Sequence, residues 1–410
     1  MTKNVIVGQS GGPTAVINSS LAGVYKTAKD LGAKKVYGMR YGIEGLLSRN
    51  IMDMSEKIRS DTDLELLKRT PASFLGSCRY KLPEISENRL IYEHIFEILN
   101  EYDIEAFLYI GGNDSMDTIK KLSDYASLIG SAIRFIGVPK TIDNDLAVTD
   151  HTPGYGSAAK YIATTIKELV RDSLVYDIKS VLIIEIMGRN AGWLTGAAAL
   201  AKGDDSEGAD LIYLPELPFD PGSFIERIKE TQQAKKSVVV AVSEGIKTSD
   251  GKYVSELGNN MTKLDSFGHT QLSGTAKYLS ALVSEKIGCK SRAVELSTLQ
   301  RCAGHLTSYV DVTEAYEAGG CAVKAADNGE SGKMVILKRT SETPYISATD
   351  LYDIHKIANI EKKVPLDWIL PDGAGITDKF INYIRPLIQG ELTQIMVAGE
   401  PKHIVADMPE

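Results

Sequence analysis

Cysteine is scarce in this chain. Four residues, Cys78, Cys289, Cys302 and Cys321, are spread over 410 positions, with no CxxC pair and no Cys/His cluster at zinc spacing. That excludes a zinc ribbon and a disulfide scaffold. Scattered cysteines in a chain of this size read as reduced core residues of a cytoplasmic protein. No run of about 18 apolar residues occurs, so no membrane-spanning helix is expected. An excess of positive charge is missing too. The net charge is −8, which speaks against a nucleic-acid or anionic-membrane partner. The opening MTKNVIVGQSGG has only a short apolar run that ends in glycines, so it reads as a strand and not as a signal peptide.

What remains is ordinary for a soluble globular chain: 43% hydrophobic and 24% charged residues, long enough for two domains. The 36 glycines fall in clusters that suggest tight turns and close approach of backbone to ligand. Val5 to Val7 is a β-branched run that leads into a glycine turn and then a helical pattern from Ala15 to Gly32. The same strand-to-turn order recurs at Ala106–Ile110, with a helix over Ser115–Tyr125, at Arg134–Val138, at Val181–Ile186, with a helix over Ala191–Ala201, and at Ser237–Val242. Buried apolar strands alternating with helices predict an α/β fold with parallel sheets. Ligands of such sheets bind at the carboxyl ends of strands, so site residues should cluster at these five turns. Near the C-terminus, Asp350 to Ile360 looks helical and Val364-Pro365 breaks it.

Five turns carry chemistry-bearing residues. Gly8-Gln9-Ser10-Gly11-Gly12-Pro13-Thr14 joins a strand to a helix, where free N–H groups and the helix dipole favour an anion. It fits neither GxxxxGK[ST] nor GxGxxG, and a plain tight turn is the competing reading. Gly111-Gly112-Asn113-Asp114-Ser115 offers a close backbone approach and a carboxylate for a hydrated metal, or simply a helix cap. Pro139-Lys140-Thr141-Ile142-Asp143-Asn144-Asp145 supplies a base, a cation and metal-binding oxygens, the parts phosphoryl transfer needs. A solvated loop is the alternative. Met187-Gly188-Arg189-Asn190 and Ser243-Glu244-Gly245 follow the last two strands, and either charge alone is more often a surface group. Arg79, Arg292 and Arg301 add cations that an acidic protein binding phosphorylated substrates must concentrate locally.

Taken in order, Gly11-Gly12, Leu75-Gly76-Ser77-Cys78-Arg79, GGNDS, PKTIDND, MGRNAGW, SEG and Leu299-Gln300-Arg301 resemble the phosphofructokinases, from about residue 4 to about residue 310. The resemblance implies two Rossmann-like parallel-sheet domains with the active site in the cleft between them. Residues 1–150 with about 305–365 would form the donor domain, and 151–304 with about 366–410 the sugar-phosphate domain. It implies Asp143 as general base, Asp145 as a supporting carboxylate, and Lys140 and Arg189 as further catalytic residues. Gly11, Gly12, Arg79, Lys140 and Thr141 would contact the donor phosphates. Thr141, Asp143, Met187, Gly188, Arg189, Glu244, Arg292 and Arg301 would contact the sugar phosphate. In many members one of these arginines comes from a neighbouring subunit, so a homodimer or homotetramer with shared sites is implied.

Donor choice rests on Asp114 and Lys140. ATP-using relatives carry glycine at both places. Asp114 adds bulk and negative charge where a nucleotide's α-phosphate would lie, and Lys140 adds a cation for pyrophosphate. The chain therefore resembles the pyrophosphate-dependent branch, which implies reversible, Mg²⁺-dependent transfer from pyrophosphate to the 1-hydroxyl of fructose 6-phosphate. An ATP-dependent phosphofructokinase and a non-catalytic sugar-phosphate-binding subunit are the alternatives. NAD kinase-like and lipid kinase-like proteins share a GGDG-type turn but lack the PKTIDND and MGR pair. Three departures stand out: Asn113 replaces the usual Asp, leaving Asp114 to take up metal binding; Thr298 replaces His or Tyr; and Lys179 and Ser180 stand near a missing arginine. The segment Asp265 to Ile287 is longer than in compact ATP enzymes, and its His269 reads as structural.

Overall fold

The computed structural model describes residues 1–258, 263–264, 270–271 and 274–406. His269 lies outside them. In chain order the strands are β1 (Asn4–Gln9), β2 (Val36–Met39), β3 (Ile51–Asp53), β4 (Ile104–Gly111), β5 (Arg134–Pro139), β6 (Ser180–Ile186), β7 (Leu211–Tyr213), β8 (Ser237–Ser243), the short pair β9 (Lys263–Leu264) and β10 (Thr270–Gln271), then β11 (Lys290–Glu295), β12 (Lys333–Glu342), β13 (Tyr345–Asp353) and the short pair β14 (Met396–Val397) and β15 (Glu400–Pro401). A seven-stranded sheet runs β13-β12-β5-β4-β1-β2-β3, and a four-stranded sheet runs β11-β6-β8-β7. The second is parallel throughout; in the first, only the edge strands β3 and β13 are antiparallel.

The interior strands are apolar on both faces because helices cover both faces. β4 (IEAFLYIG) and β8 (SVVVAVS) are buried almost end to end. The registers Ile110↔Val138 and Ile184↔Ala241 bring neighbouring strands out at the same edge of each sheet. The helices Ile17–Asp30 and Tyr309–Asp327 cross at glycines. A Cβ on Gly23 would lie 2.0 Å from the carbonyl oxygen of Tyr316, and one on Gly319 2.0 Å from that of Ser20. Only glycine allows that approach.

The C-terminal segment packs into the second lobe. Trp193, just after β6, stacks on Phe380 at 5.8 Å between ring centroids and meets Trp368 and Tyr383 edge-on or tilted. Phe380 is fully buried, so truncation to Ala is expected to cost about 3–5 kcal/mol.

One expectation fails here. Asp350–Ile360 is not a helix: Asp350 to Asp353 end β13, paired antiparallel to β12, and only Ile354–Lys356 makes a turn of 3₁₀-helix. Asp353 caps that turn by accepting a hydrogen bond from the His355 N–H. The window mixed the end of an edge strand with a capped turn and so imitated helical spacing. Elsewhere the expected helices lie within or over observed ones: Ile17–Asp30, Asn113–Ile129, and Trp193–Gly196 continued as 3₁₀-helix over Ala197–Ala201.

Candidate active site

The turns that follow β1, β4, β5, β6 and β8 line one cleft of about 350 Å³. Ser10, Gly11 and Gly12 come from the first, Gly112 to Ser115 from the second, Lys140 to Asp143 and Asp145 from the third, Met187 to Ala191 from the fourth, and Glu244 from the fifth. Arg79, Arg301 and Glu361 complete the wall.

Gly11 adopts φ +76°, a conformation that a side chain would strain. Its N–H donates to the carbonyl of Cys78 and its own carbonyl accepts from Ser77 Oγ at 2.6 Å, so the turn is fixed against the segment bearing Arg79. Lys140 Nζ donates to the carbonyl of Gly12 at 2.8 Å. The Arg301 guanidinium reaches the same glycine: a Cβ there would lie 3.1 Å from Nη1. Gly112 opens the helix Asn113–Ile129, which points its positive end into the cleft.

The turn after β5 folds back on itself. Asp143 N–H donates to Thr141 Oγ1 at 3.1 Å. Asn144 takes a left-handed conformation at φ +53° and is fully buried, which places Asp143 and Asp145 on either side of it facing the cleft. Across the cleft, Gly188 at φ +123° turns the chain after β6, and Ser243 Oγ donates to its carbonyl at 2.6 Å. Glu244 Oε1 accepts from the Gly188 N–H at 3.4 Å, and Gln300 Oε1 from the Met187 N–H at 3.4 Å.

Burial and charge shift the groups here in opposite senses. Burial pushes Lys140 down to about 8, with Arg301 and Arg79 adding to the fall and Asp143 and Asp145 opposing it. Burial raises Asp143. Burial and the neighbouring charges of Asp143 and Glu361 raise Asp145 to about 7. Glu244 rises to about 8 for the same reasons, burial first and then Asp143. Arg301 is lowered by burial and by Arg79. Buried cations set against buried carboxylates with perturbed proton affinity mark a catalytic cleft for anionic substrates.

Fourteen of the fifteen predicted site residues share this cleft; Arg292 does not. It stands on β11, in a separate groove of about 120 Å³ with Tyr176 and Lys290. Sequence reasoning missed Glu361 and Asn190, which meet at the cleft wall where Asn190 Nδ2 donates to Glu361 Oε1 at 3.0 Å. Asn190 was within a recognised motif. Glu361 had no signal, because it belongs to irregular chain far from every motif. Thr298 lies just ahead of the short helix Leu299–Cys302 and outside the cleft wall.

The fold and cleft define an α/β enzyme built to bring anionic groups against buried carboxylates. The phosphofructokinase family model matches residues 4–326. The chain belongs to the phosphofructokinase family. It is 39% identical over 406 residues to a pyrophosphate--fructose 6-phosphate 1-phosphotransferase of Methylococcus capsulatus, covering 98% of this chain and 95% of the relative. A protein of the same description from Xanthomonas campestris is 42% identical over 404 residues, again covering 98% and 95%. The crystal structure of a pyrophosphate-dependent phosphofructokinase from Nitrosospira multiformis superposes with a TM-score of 0.88 at 36% identity, covering 99% of this chain and 98% of that one. Among the described residues no helix is long and apolar enough to cross a membrane.

Proposed function

We propose that the protein is a pyrophosphate-dependent 6-phosphofructokinase. It moves a phosphoryl group from pyrophosphate to the 1-hydroxyl of fructose 6-phosphate, giving fructose 1,6-bisphosphate and phosphate, and it runs in both directions. The observation that carries this reading is the seat of Lys140. Its ammonium is fixed in the glycine turn at the end of β1, in the same cleft as Asp114 and within electrostatic reach of Asp143. A buried cation there favours the compact, highly charged pyrophosphate, while Asp114 opposes the α-phosphate of a nucleotide.

Phosphoryl transfer needs in-line positioning and neutralised charge more than covalent help. The glycine turn with Gly11, Gly12, Thr141, Lys140 and Arg79 holds the donor phosphates. Arg189 and Arg301 face the sugar phosphate, and Met187, Gly188 and Glu244 fix the sugar. Asp143, raised by burial, takes the proton from the 1-hydroxyl as the new P–O bond forms, and Asp145 supports it. Raised proton affinity makes a carboxylate a better proton acceptor than an exposed aspartate would be.

Among the described residues no group of three or more His, Cys, Asp or Glu forms a metal cage. Mg²⁺ needs none, because one or two carboxylates plus substrate phosphates hold it. Asn113 Oδ1 is buried without a hydrogen-bond partner beside Asp114 among the described residues, so these two residues fit the ion. When bound it would neutralise phosphoryl charge.

Residues 1–150 with about 305–365 serve the donor, and 151–304 with 366–410 the sugar phosphate. We assign Arg292 to the sugar 6-phosphate of a neighbouring subunit in a homodimer or homotetramer. Exposed Leu174, Val175, Tyr176 and Ile178 next to its groove support such a contact. Four free thiols support a cytoplasmic setting.

The test is steady-state phosphorylation of fructose 6-phosphate with Mg²⁺, with pyrophosphate or ATP as donor. Turnover with pyrophosphate and little with ATP is expected. Turnover with ATP alone would keep the family and overturn the donor reading. Turnover with neither would favour a sugar-phosphate-binding subunit.

A further inference from the structure

The turn that carries Asp143 and Asp145 is held from outside the stretch shared with the family model. That stretch ends at residue 326. Asn144, between the two carboxylates, is left-handed and fully buried, and both its Oδ1 and its Nδ2 are hydrogen-bonded. Its Oδ1 accepts from the Thr152 N–H at 3.1 Å and from Lys362 Nζ at 3.3 Å, and its Nδ2 donates to Tyr383 OH at 2.9 Å. Lys362 Nζ also donates to the carbonyls of Thr149 and Asp150, at 3.2 and 2.8 Å, and Tyr383 OH donates to the same Asp150 carbonyl at 2.7 Å. One ammonium and one phenol therefore close the loop 144–150 from behind.

The backbone of the same lysine ties the two walls of the cleft. Its N–H donates to the carbonyl of Asp145 at 2.7 Å, and its carbonyl accepts from Trp193 Nε1 at 2.9 Å. Trp193 opens the helix that follows the turn after β6, the turn that carries Arg189. A left-handed non-glycine residue persists only where its surroundings over-determine it. Lys362 and Tyr383 supply part of that constraint on the side away from substrate.

We propose that Lys362, backed by Tyr383, is a positioning residue for phosphoryl transfer: it holds Asn144 in the strained turn that aims Asp143 at the acceptor hydroxyl. Neither side chain lines the cleft, so neither touches substrate. The inference rests on Asp143 being the base, and the experiment separates the two claims.

Lys362→Met keeps the length of the side chain and removes the ammonium. A small misplacement of a catalytic group can cost on the order of 10²-fold, so kcat is expected to fall roughly 10- to 100-fold, with KM for pyrophosphate and for fructose 6-phosphate within about twofold of wild type. Tyr383→Phe should do the same to a smaller extent, and it carries the test if the lysine variant does not fold. In an Asp143→Asn background, where there is no base left to aim, either substitution should add little further loss. A loss confined to KM, a normal kcat in both variants, or a full multiplicative loss in the Asp143→Asn background would overturn the proposal. Near-normal turnover of Asp143→Asn alone would instead sink the assignment of the base.

Discussion

The ammonium of Lys140 donates a 2.8 Å hydrogen bond to the carbonyl of Gly12, joining the turn after β5 to the turn after β1. The two residues are far apart in sequence, and both turns belong to adjoining parts of one parallel sheet through β4. A cation seated in a glycine turn at the end of a strand is placed to meet an anion. The position is unfavourable for the fold, since burial drives the lysine's pKa down to about 8.

Two consequences for a Lys140→Met variant follow from that seat. Transfer from pyrophosphate should fall on the order of 10²-fold in kcat/KM, the usual loss when one preorganised donor to a transferring group is removed. The melting temperature should not fall. The folded pKa lies below the usual 10.5, so the protonated lysine opposes folding below about pH 8 and the opposition fades as pH rises towards 10.5. Paired kinetic and thermal-melt measurements check this; a variant that is both active and unstable would show the lysine to be structural.

The same shifts set the pH dependence of turnover. In the proposed reaction Asp143 and its neighbour Asp145 act ionised, and burial raises both, Asp145 to about 7. Activity should therefore fall as pH drops through about 7. Lys140 must be protonated to bind pyrophosphate, so kcat/KM for pyrophosphate should fall again as pH rises through about 8. The profile expected is a narrow bell that reports the free enzyme's groups. Lys140→Arg should move the alkaline limb upward, since a guanidinium stays charged. An alkaline limb unchanged by that substitution would assign it elsewhere.

The five strand-to-turn junctions could be read from sequence because strands buried on both faces are written as unbroken apolar runs, such as Val181 to Ile186 and Val238 to Val242. The turns after them are where chemistry must lie, and charged residues there stood out. Lys362 and Glu361 could not be found that way. They sit in irregular chain, and their partners Asn144, Asp145 and Asn190 lie some 170 to 220 positions earlier. β13 was misread for a related reason: an edge strand need satisfy only one buried face, so its apolar pattern is thin. The expectation that Arg292 joins the cleft rests on the family resemblance alone, and no motif around it on β11 fixes where its side chain lies.

Gly245 shows how tightly the cleft wall that carries Arg189 and Glu244 is built. A Cβ there would lie 1.9 Å from the carbonyl oxygen of Arg189, a backbone atom that cannot swing aside. Gly245→Ala must push the turn after β8 away from the turn after β6. Overpacking of this kind costs about 1–3 kcal/mol. Thermal or urea unfolding should show that loss, and KM for fructose 6-phosphate should rise, because Arg189 and Glu244 move apart. A stable variant with an unchanged KM would mean that the two turns relax without disturbing the site.

Away from the cleft, His151 is buried between two carboxylates, with Nδ1 2.8 Å from Asp150 Oδ2 and Nε2 2.6 Å from Glu314 Oε2. Burial alone would discharge it, yet Glu314 and Asp150 raise its pKa from 6.5 to about 9. Burial likewise opposes both carboxylates, and His151 nevertheless holds each below its usual value. A raised histidine stabilises the fold fully below 6.5 and loses that contribution as pH rises through about 9. The shift is worth on the order of 3 kcal/mol. Lys140 and Lys362, both lowered to about 8 by burial, change stability in the opposite sense between about pH 8 and 10.5, which overlaps the upper end of that window. The wild type must therefore be compared with His151→Gln at each pH. The difference in unfolding free energy should shrink steadily between pH 6.5 and about 9, measured by urea denaturation. A constant difference across that window would mean that the imidazole is held neutral in the folded protein.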